Sequence, residues 1–190
     1  MSGGLAIAVL AAGSARRFGG GKLDVDCAGK PLGRWALDAA RTVEGARIAV
    51  IVGPAAPHFL GDAEIVRNPH ADEGLGTSVA AAARWASASS ARALLLSLAD
   101  MPLVTTGTLA ALVDGQLPSA VGYPGDRPGV PACFPAAMFG QLANLGGEEG
   151  AGPILAGHPD LRLVSAGKDE LRDVDRPEDL ADVAAILSRR

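Results

Sequence analysis

The sequence predicts an α/β fold of three layers, a mostly parallel sheet between two sets of helices, and three observations carry that prediction. Apolar runs of strand length recur at LAIAVL, RIAVIV and ALLLSLA, rich in small and branched residues. Segments of helical character lie between them. Each run is continuous in apolar character, which implies burial on both faces, and right-handed crossovers then place helices on each side of the sheet. With 190 residues the chain is expected to form one domain with a self-sufficient core. Apolar residues make up 48% and aromatics 4%, so that core is built from Ala, Leu and Val, which suits helices packed closely on a sheet.

The first strand, LAIAVL, opens into the loop LAAGSARRFGGGK. The first helix reads PLGRWALDAARTV, starting at Pro31 and directing Leu32, Trp35, Leu37 and Ala39 to one side. RIAVIV is the second strand. An alanine-rich helix, TSVAAAARWASA, follows from near Thr77, and ALLLSLA leads to Asp100. After Leu117 the segments YPGDRPGVPACFP and LGGEEGAGP are dense in Gly and Pro, so loops, short strands and short helices are expected within the same domain. The last segment, DVDRPEDLADVAAILSRR, predicts a helix beginning just after Asp175, with acids in its first turn and arginines at its end.

Composition excludes several function classes. The formal net charge of −4 argues against bulk electrostatic binding to nucleic acid or to an anionic membrane. Cys27 and Cys133 lack CxxC spacing, so neither a zinc knuckle nor a redox pair is expected, and a reducing compartment fits. His58, His70 and His158 show no metal spacing, and no GxSxG elbow occurs. LAIAVLAAGSA has no basic residue before it and reads as a buried strand rather than a leader; no apolar run reaches membrane-spanning length, so a cytoplasmic protein is expected.

The loop after the first strand holds four glycines, two arginines and a lysine. In an open parallel sheet, ligands bind beyond the carboxyl ends of the strands. Gly13, Gly19, Gly20 and Gly21 allow close backbone approach or positive φ, while Arg17 and Lys22 supply charge for a phosphate chain. A P-loop is excluded because Arg16 stands at its first glycine position and Leu23 follows the lysine. A dinucleotide fingerprint fails as well, since GxGxxG is absent. Asp100 is expected at the carboxyl edge of its strand, where it either holds Mg²⁺ or caps the following turn. GLGTS, from Gly74 to Ser78, introduces a helix; its amides and the Thr77 and Ser78 hydroxyls either contact the nucleotide or simply cap the helix.

The loop resembles the LAAGxSxRMGxxK signature of nucleotidyltransferases related to the molybdenum cofactor cytidylyl- and guanylyltransferases, with Gly13, Arg17, Gly19 and Lys22 at matching positions. Ala15 replaces the signature serine, Ser14 stands beside it, and Phe18 replaces the methionine. GKPLGRWALDAA, NPHADEGLGTSVAAAARWA, LLLSLADMPLV, GVPACFP, LGGEEGAGPIL and DVDRPEDL continue the resemblance in order along nearly the whole chain. It implies one domain over 1–190 of the nucleotide-diphospho-sugar transferase type, with 1–117 binding nucleotide and 118–190 supplying the acceptor side and a closing helix.

By the same resemblance, Arg17, Lys22 and Asp100 are catalytic, and Leu10, Ala11, Ala12, Gly13, Ser14, Gly74, Thr77 and Ser78 join Arg17 and Lys22 in holding the nucleotide. Asp100 and Asp175 are the implied Mg²⁺ ligands; Asp175 also stands where a helix N-cap would, and one residue can serve both ends. LAAG rather than LAGG implies CTP, and the implied acceptor is molybdopterin, with a molybdoenzyme as a further partner. GTP in place of CTP, a sugar or alditol phosphate acceptor, and a non-catalytic maturation chaperone are the alternatives.

Overall fold

The computed structural model describes residues 4–13 and 18–189. In chain order the elements are β1 (Leu5–Leu10), β2 (Asp26–Cys27), β3 (Lys30–Pro31), α1 (Leu32–Arg41), β4 (Ala46–Val52), β5 (Glu64–Arg67), α2 (Leu75–Ala88), β6 (Ala93–Leu98), α3 (Thr106–Val113), β7 (Ser119–Tyr123), β8 (Arg127–Pro135), α4 (Phe139–Leu142), α5 (Gly152–Ala156), β9 (Arg162–Val164) and α6 (Pro177–Leu187). Seven strands form one sheet in the order β5-β4-β1-β6-β8-β7-β9, in which β8 alone runs antiparallel to its neighbours.

Strand geometry turns the continuous apolar runs into two cores. Ile7 and Val9 of β1, Val50 and Val52 of β4 and Leu95 of β6 face one side, where Leu32, Leu37, Leu109, Leu112 and Val183 of α1, α3 and α6 cover them. Ala6, Ala8, Ala49, Ile51, Leu94 and Leu96 face the other side. There α2 presents Val79, Ala82, Ala83 and Ala86, so small residues meet small residues and the helix lies close on the sheet. The three-layer expectation is met on both faces.

Several local expectations change. The buried face of α1 is Leu32, Ala36, Leu37 and Ala40, whereas Trp35 and Ala39 are half-buried. Trp35 turns instead over the β2–β3 hairpin, donating its indole N–H to Cys27 O at 2.8 Å with Lys30 Nζ 3.7 Å above the ring. The second crossover helix begins at Leu75, two residues before Thr77, and its N-cap is Gly74. In the Pro-rich half, β8 is nine residues long rather than short. Its prolines are tolerated because β6 pairs only with Ala132–Pro135, leaving Pro128 and Pro131 where β8 has β7 alone beside it, next to a register shift at Ala120/Val121. Residues 173–175 are extended but join no strand of the sheet. Among the described residues, no helix is long and apolar enough to cross a membrane.

Two predictions follow from packing. A Cβ on Gly76 would lie 2.6 Å from the carbonyl oxygens of both Gly146 and Glu149, which are backbone atoms that cannot swing aside. Gly76→Ala is expected to cost about 1–3 kcal/mol, a fall in Tm of roughly 3–10 °C, read by thermal unfolding. Cys27 and Cys133 are buried, and burial pushes the Cys133 thiol up to about 12. Both thiols are expected to resist an aromatic disulfide reagent at pH 8 in the native protein and to react fully in denaturant.

Candidate functional site

The sheet order places a topological switch at β1. The chain runs from β1 outward through β4 to β5, then crosses back to lay β6 on the opposite side of β1. β1 and β6 stay paired to their last residues, Leu10 and Leu98, and the loops that follow them leave in opposite directions and open a crevice. Backbone bonds fix its lip: the Ala11 amide donates to Ile51 O at 2.8 Å and the Ala99 amide to Leu10 O at 3.0 Å. Gly19, Gly20 and Gly21 have φ of 88°, 95° and 61°, a run that side chains resist. Added Cβ atoms there would meet nothing within 4 Å, so backbone conformation, not space, selects glycine.

Two cavities adjoin this loop and share Ala12, Gly13, Ala71 and Asp72 in their walls. One, of about 350 Å³, is closed by Ala11, Lys22 and the loop 53–57. The other, of about 390 Å³, is bounded by Leu10, Gly74, Ser78, Leu98 and Asp100. Ser14 and Arg17 fall outside the described residues. Asp24 anchors the first cavity's wall by accepting from the amides of His58 at 2.7 Å and Phe59 at 2.9 Å.

Lys22 is buried, and its ammonium joins three parts of the chain. It donates to Asp100 Oδ2 at 2.8 Å, to Val174 O at 2.8 Å and to Asp175 Oδ1 at 3.4 Å. The segment carrying Val174 is itself tied to the end of β6, since the Val174 amide donates to Asp100 O at 3.0 Å. Asp175 is not the cap of α6. That position is Arg176, and the capping carboxylate is Asp179, whose Oδ2 accepts from the amides of Asp175 at 3.0 Å and Arg176 at 2.7 Å. The Asp175 side chain is thereby left to face Lys22.

Asp173 completes an acidic cluster. Loss of water pushes its carboxyl above the ordinary aspartate range, with the charges of Asp175 and Asp100 adding to the rise while its own backbone amide and Lys22 oppose it. Among the described residues, Lys22 donates to both Asp100 and Asp175, and Asp173 feels the charge of all three. Among the described residues no three acidic, histidine or cysteine side chains form a complete metal cage. Asp100 and Asp175 do converge, as hard oxygen donors, on one cationic atom. That sparse set fits a Mg²⁺-like ion that takes its remaining oxygens from water and phosphates.

The GLGTS turn is largely occupied with its own architecture. The Gly76 amide donates to Gly147 O at 2.9 Å, and the Thr77 hydroxyl lies 2.8 Å from both His70 O and Gly74 O. Asn68 Nδ2 donates to Thr77 Oγ1 at 2.8 Å and Ser78 Oγ at 3.0 Å. Gly74 has a φ of 126°, and a Cβ there would strike the backbone of Gly147, so both glycines exist for the 146–149 loop that crosses them. Neither Thr77 nor Ser78 caps α2.

A third cavity, about 270 Å³, continues the crevice through Leu75 and Leu98 to Tyr123, Arg127, Gly129 and Gly150. Tyr123 donates its hydroxyl to Val130 O at 2.7 Å, and its ring fills the space a Cβ on Gly129 would need, 2.5 Å away. Burial pushes the Tyr123 phenol up, Asp173 and Asp100 push it further, and Arg127 counters them. Among the described residues Arg127 makes no ion pair. Sequence reading passed over Asp72, Glu148, Tyr123 and Arg127; their only signal was a polar residue within a Gly- or Pro-flanked loop.

A family model described as the MobA-like NTP transferase domain matches residues 7–163. The bifunctional protein GlmU of Geobacter sulfurreducens is 37% identical over 116 residues, 57% of this chain and 24% of that protein, so the chain spans about a quarter of its length. The purine catabolism protein PucB of Bacillus subtilis is 30% identical over 94% of this chain and 95% of its own. Rv0371c of Mycobacterium tuberculosis, solved as a complex with manganese, superposes with a TM-score of 0.77 at 23% identity, covering 97% of this chain and all of that one, a likeness of fold. The matched model runs from β1 into β9, and a relative aligns along almost the full length: the chain belongs to the MobA-like NTP transferase domain family.

Proposed function

We propose that this nucleotidyltransferase joins the CMP unit of CTP to a phosphorylated acceptor of the molybdopterin type and releases pyrophosphate. The observation that carries the reading is the convergence of Lys22, Asp100 and Asp175 at the β1/β6 switch point, where Lys22 and Asp100 line two adjoining cavities of nucleotide scale and a third cavity leads on to Arg127. In this reaction an oxygen of the acceptor phosphate attacks the α-phosphorus of the triphosphate. The bond to the β-phosphate breaks, pyrophosphate departs with the electron pair, and a new diphosphate linkage remains. No covalent enzyme intermediate is required, so positioning and charge neutralisation do the chemistry.

Asp100 and Asp175 would hold Mg²⁺, which when bound neutralises charge on the α-phosphate and leaving group. Arg17 and Lys22 carry the cationic charge for the triphosphate, and Leu10, Ala11, Ala12 and Gly13 form the backbone ledge for base and ribose. Gly74 and Ser78 stand across the crevice from that ledge. Ala12 supports CTP, because its methyl lies in the wall shared by the two cavities around the loop and leaves less room for a purine. Arg127 supports an anionic acceptor. A cytoplasmic setting fits a triphosphate substrate and two buried free thiols.

Pyrophosphate release measured with each NTP and molybdopterin tests this reading: CTP is expected to give the highest kcat/KM, and equal rates with every NTP would overturn the base assignment. Ala12→Gly is expected to shift the CTP-to-GTP ratio toward GTP by roughly tenfold, the scale of one methyl in a pocket. Asp100→Asn is expected to lower kcat by about 100-fold or more with an unchanged circular dichroism spectrum. Arg127→Ala is expected to raise the acceptor KM about tenfold while leaving the KM for CTP unaltered, measured by varying each substrate in turn.

A further inference from the structure

Lys22 is fully engaged. A lysine ammonium has three N–H donors, and here each has an oxygen partner, on Asp100, Val174 and Asp175. No donor remains for a phosphate, so the lysine reaches a triphosphate only by giving up at least one of these contacts. The two carboxylates it engages are the same pair that Proposed function assigns to the divalent cation. An ammonium and a divalent ion on the same two carboxylates repel one another at such short range.

We propose that Lys22 is the resident counter-ion of the Asp100–Asp175 pair in the metal-free protein, and that divalent-cation binding exchanges it, freeing its ammonium for the phosphates. The inference rests on reading the pair as the cation site. Two features favour exchange over loss of the site. The contact to Asp175 is the longest, and Asp175 is the most exposed partner, with its side chain 44% accessible against 25% for Asp100. Lys22 follows the left-handed Gly19–Gly21 run, whose open surroundings leave the backbone room to turn.

The idea also explains why a phosphate-binding lysine is buried. Parked on the acids, it offsets part of their charge until an ion enters, and the ion's arrival makes it available where the ion-bound phosphates will lie. Metal loading and phosphate gripping thus become one event.

The test uses the full chain without nucleotide. Mn²⁺ binding is measured by calorimetry for wild type and Lys22→Met, and the reactivity of Lys22 toward acetic anhydride is read by peptide mass spectrometry with and without Mn²⁺, with exposed Lys168 as the internal reference. Lys22→Met is expected to bind Mn²⁺ about tenfold more tightly, and acetylation of wild-type Lys22 is expected to rise several-fold on Mn²⁺ saturation while Lys168 stays constant. Equal or weaker binding by a folded Lys22→Met, failure of Mn²⁺ to bind wild type, or a Lys22 that stays protected at saturation would overturn the exchange. Should Lys22→Met fail to fold, the labelling of wild type decides alone. Pyrophosphate release in the presence of Mn²⁺ separates the two readings: turnover with a protected Lys22 sinks the exchange and keeps the enzyme, whereas exchange without turnover on any NTP does the reverse.

Discussion

The contact on which the molecule depends is the buried ion pair of Lys22 with Asp100, extended to Val174 and Asp175. It spans 78 residues to Asp100 and more than 150 to Val174 and Asp175, joining the loop after β1, the end of β6 and the segment that leads into α6. Taking one partner from a fully buried pair costs about 3–5 kcal/mol, because the other charge is then stranded; here water reaches Asp100, 25% exposed, and reduces that cost. That scale makes the pair a structural clasp as well as a chemical group. Because the clasp lies at the carboxyl edge of the sheet, the segment most distant in sequence is held over the place where the sheet opens.

The opening itself is a consequence of topology. β1 is buried on both faces and flanked by parallel partners, so the chain must leave it toward β4 and return on its far side to form β6. The crevice between the two carboxyl ends follows from that crossing. On the α2 face, Ala6, Ala8 and Ala49 meet Ala82, Ala83 and Ala86, a contact that low aromatic content makes possible. Close layers there bring the amino end of α2, with Gly74 and Gly76, up to the crevice. Those glycines are then fixed by the carbonyls of the 146–149 loop, so the C-terminal half helps to shape the site that the N-terminal half opens.

The layers, the strand pattern, the loop and Asp100 were legible because each is written in local chemistry: apolar runs, a glycine cluster, an acid at a strand end. What was not legible depended on partners far away in sequence. Nothing in RWALDAA says that Trp35 will turn to Cys27 O while Ala36 and Ala40 take the buried face. Thr77 has the chemistry of a cap, yet Gly74 takes that position and the Thr77 hydroxyl goes to His70 and Gly74. Pro128 and Pro131 read as strand breakers, and they are harmless because β6 stops short of them. Asp175 looked equally suited to cap or to bind; Asp179, four residues on, took the capping work, and the Asp175 carboxylate meets Lys22.

The distribution of charge along the crevice is more informative than any one residue. At its centre lie the carboxylates of Asp100 and Asp175, poor neighbours for phosphates unless cations intervene. At one end stand Lys22 and the glycine loop, and at the other stands Arg127, with Leu75 and Leu98 forming an apolar saddle between the nucleotide-sized cavity and the one beyond. Of two anionic groups approaching from opposite ends, one would meet Arg127 first, and the other would meet Lys22 and the acids together, since the ammonium lies 2.8 Å from Asp100 Oδ2. Their mutual repulsion is greatest where they meet, beside Asp100, and only a shared positive charge held by the acids can offset it. In the proposed reaction the acids would thus confine phosphate chemistry to one point, because a cation held there would draw together two partners that otherwise repel each other.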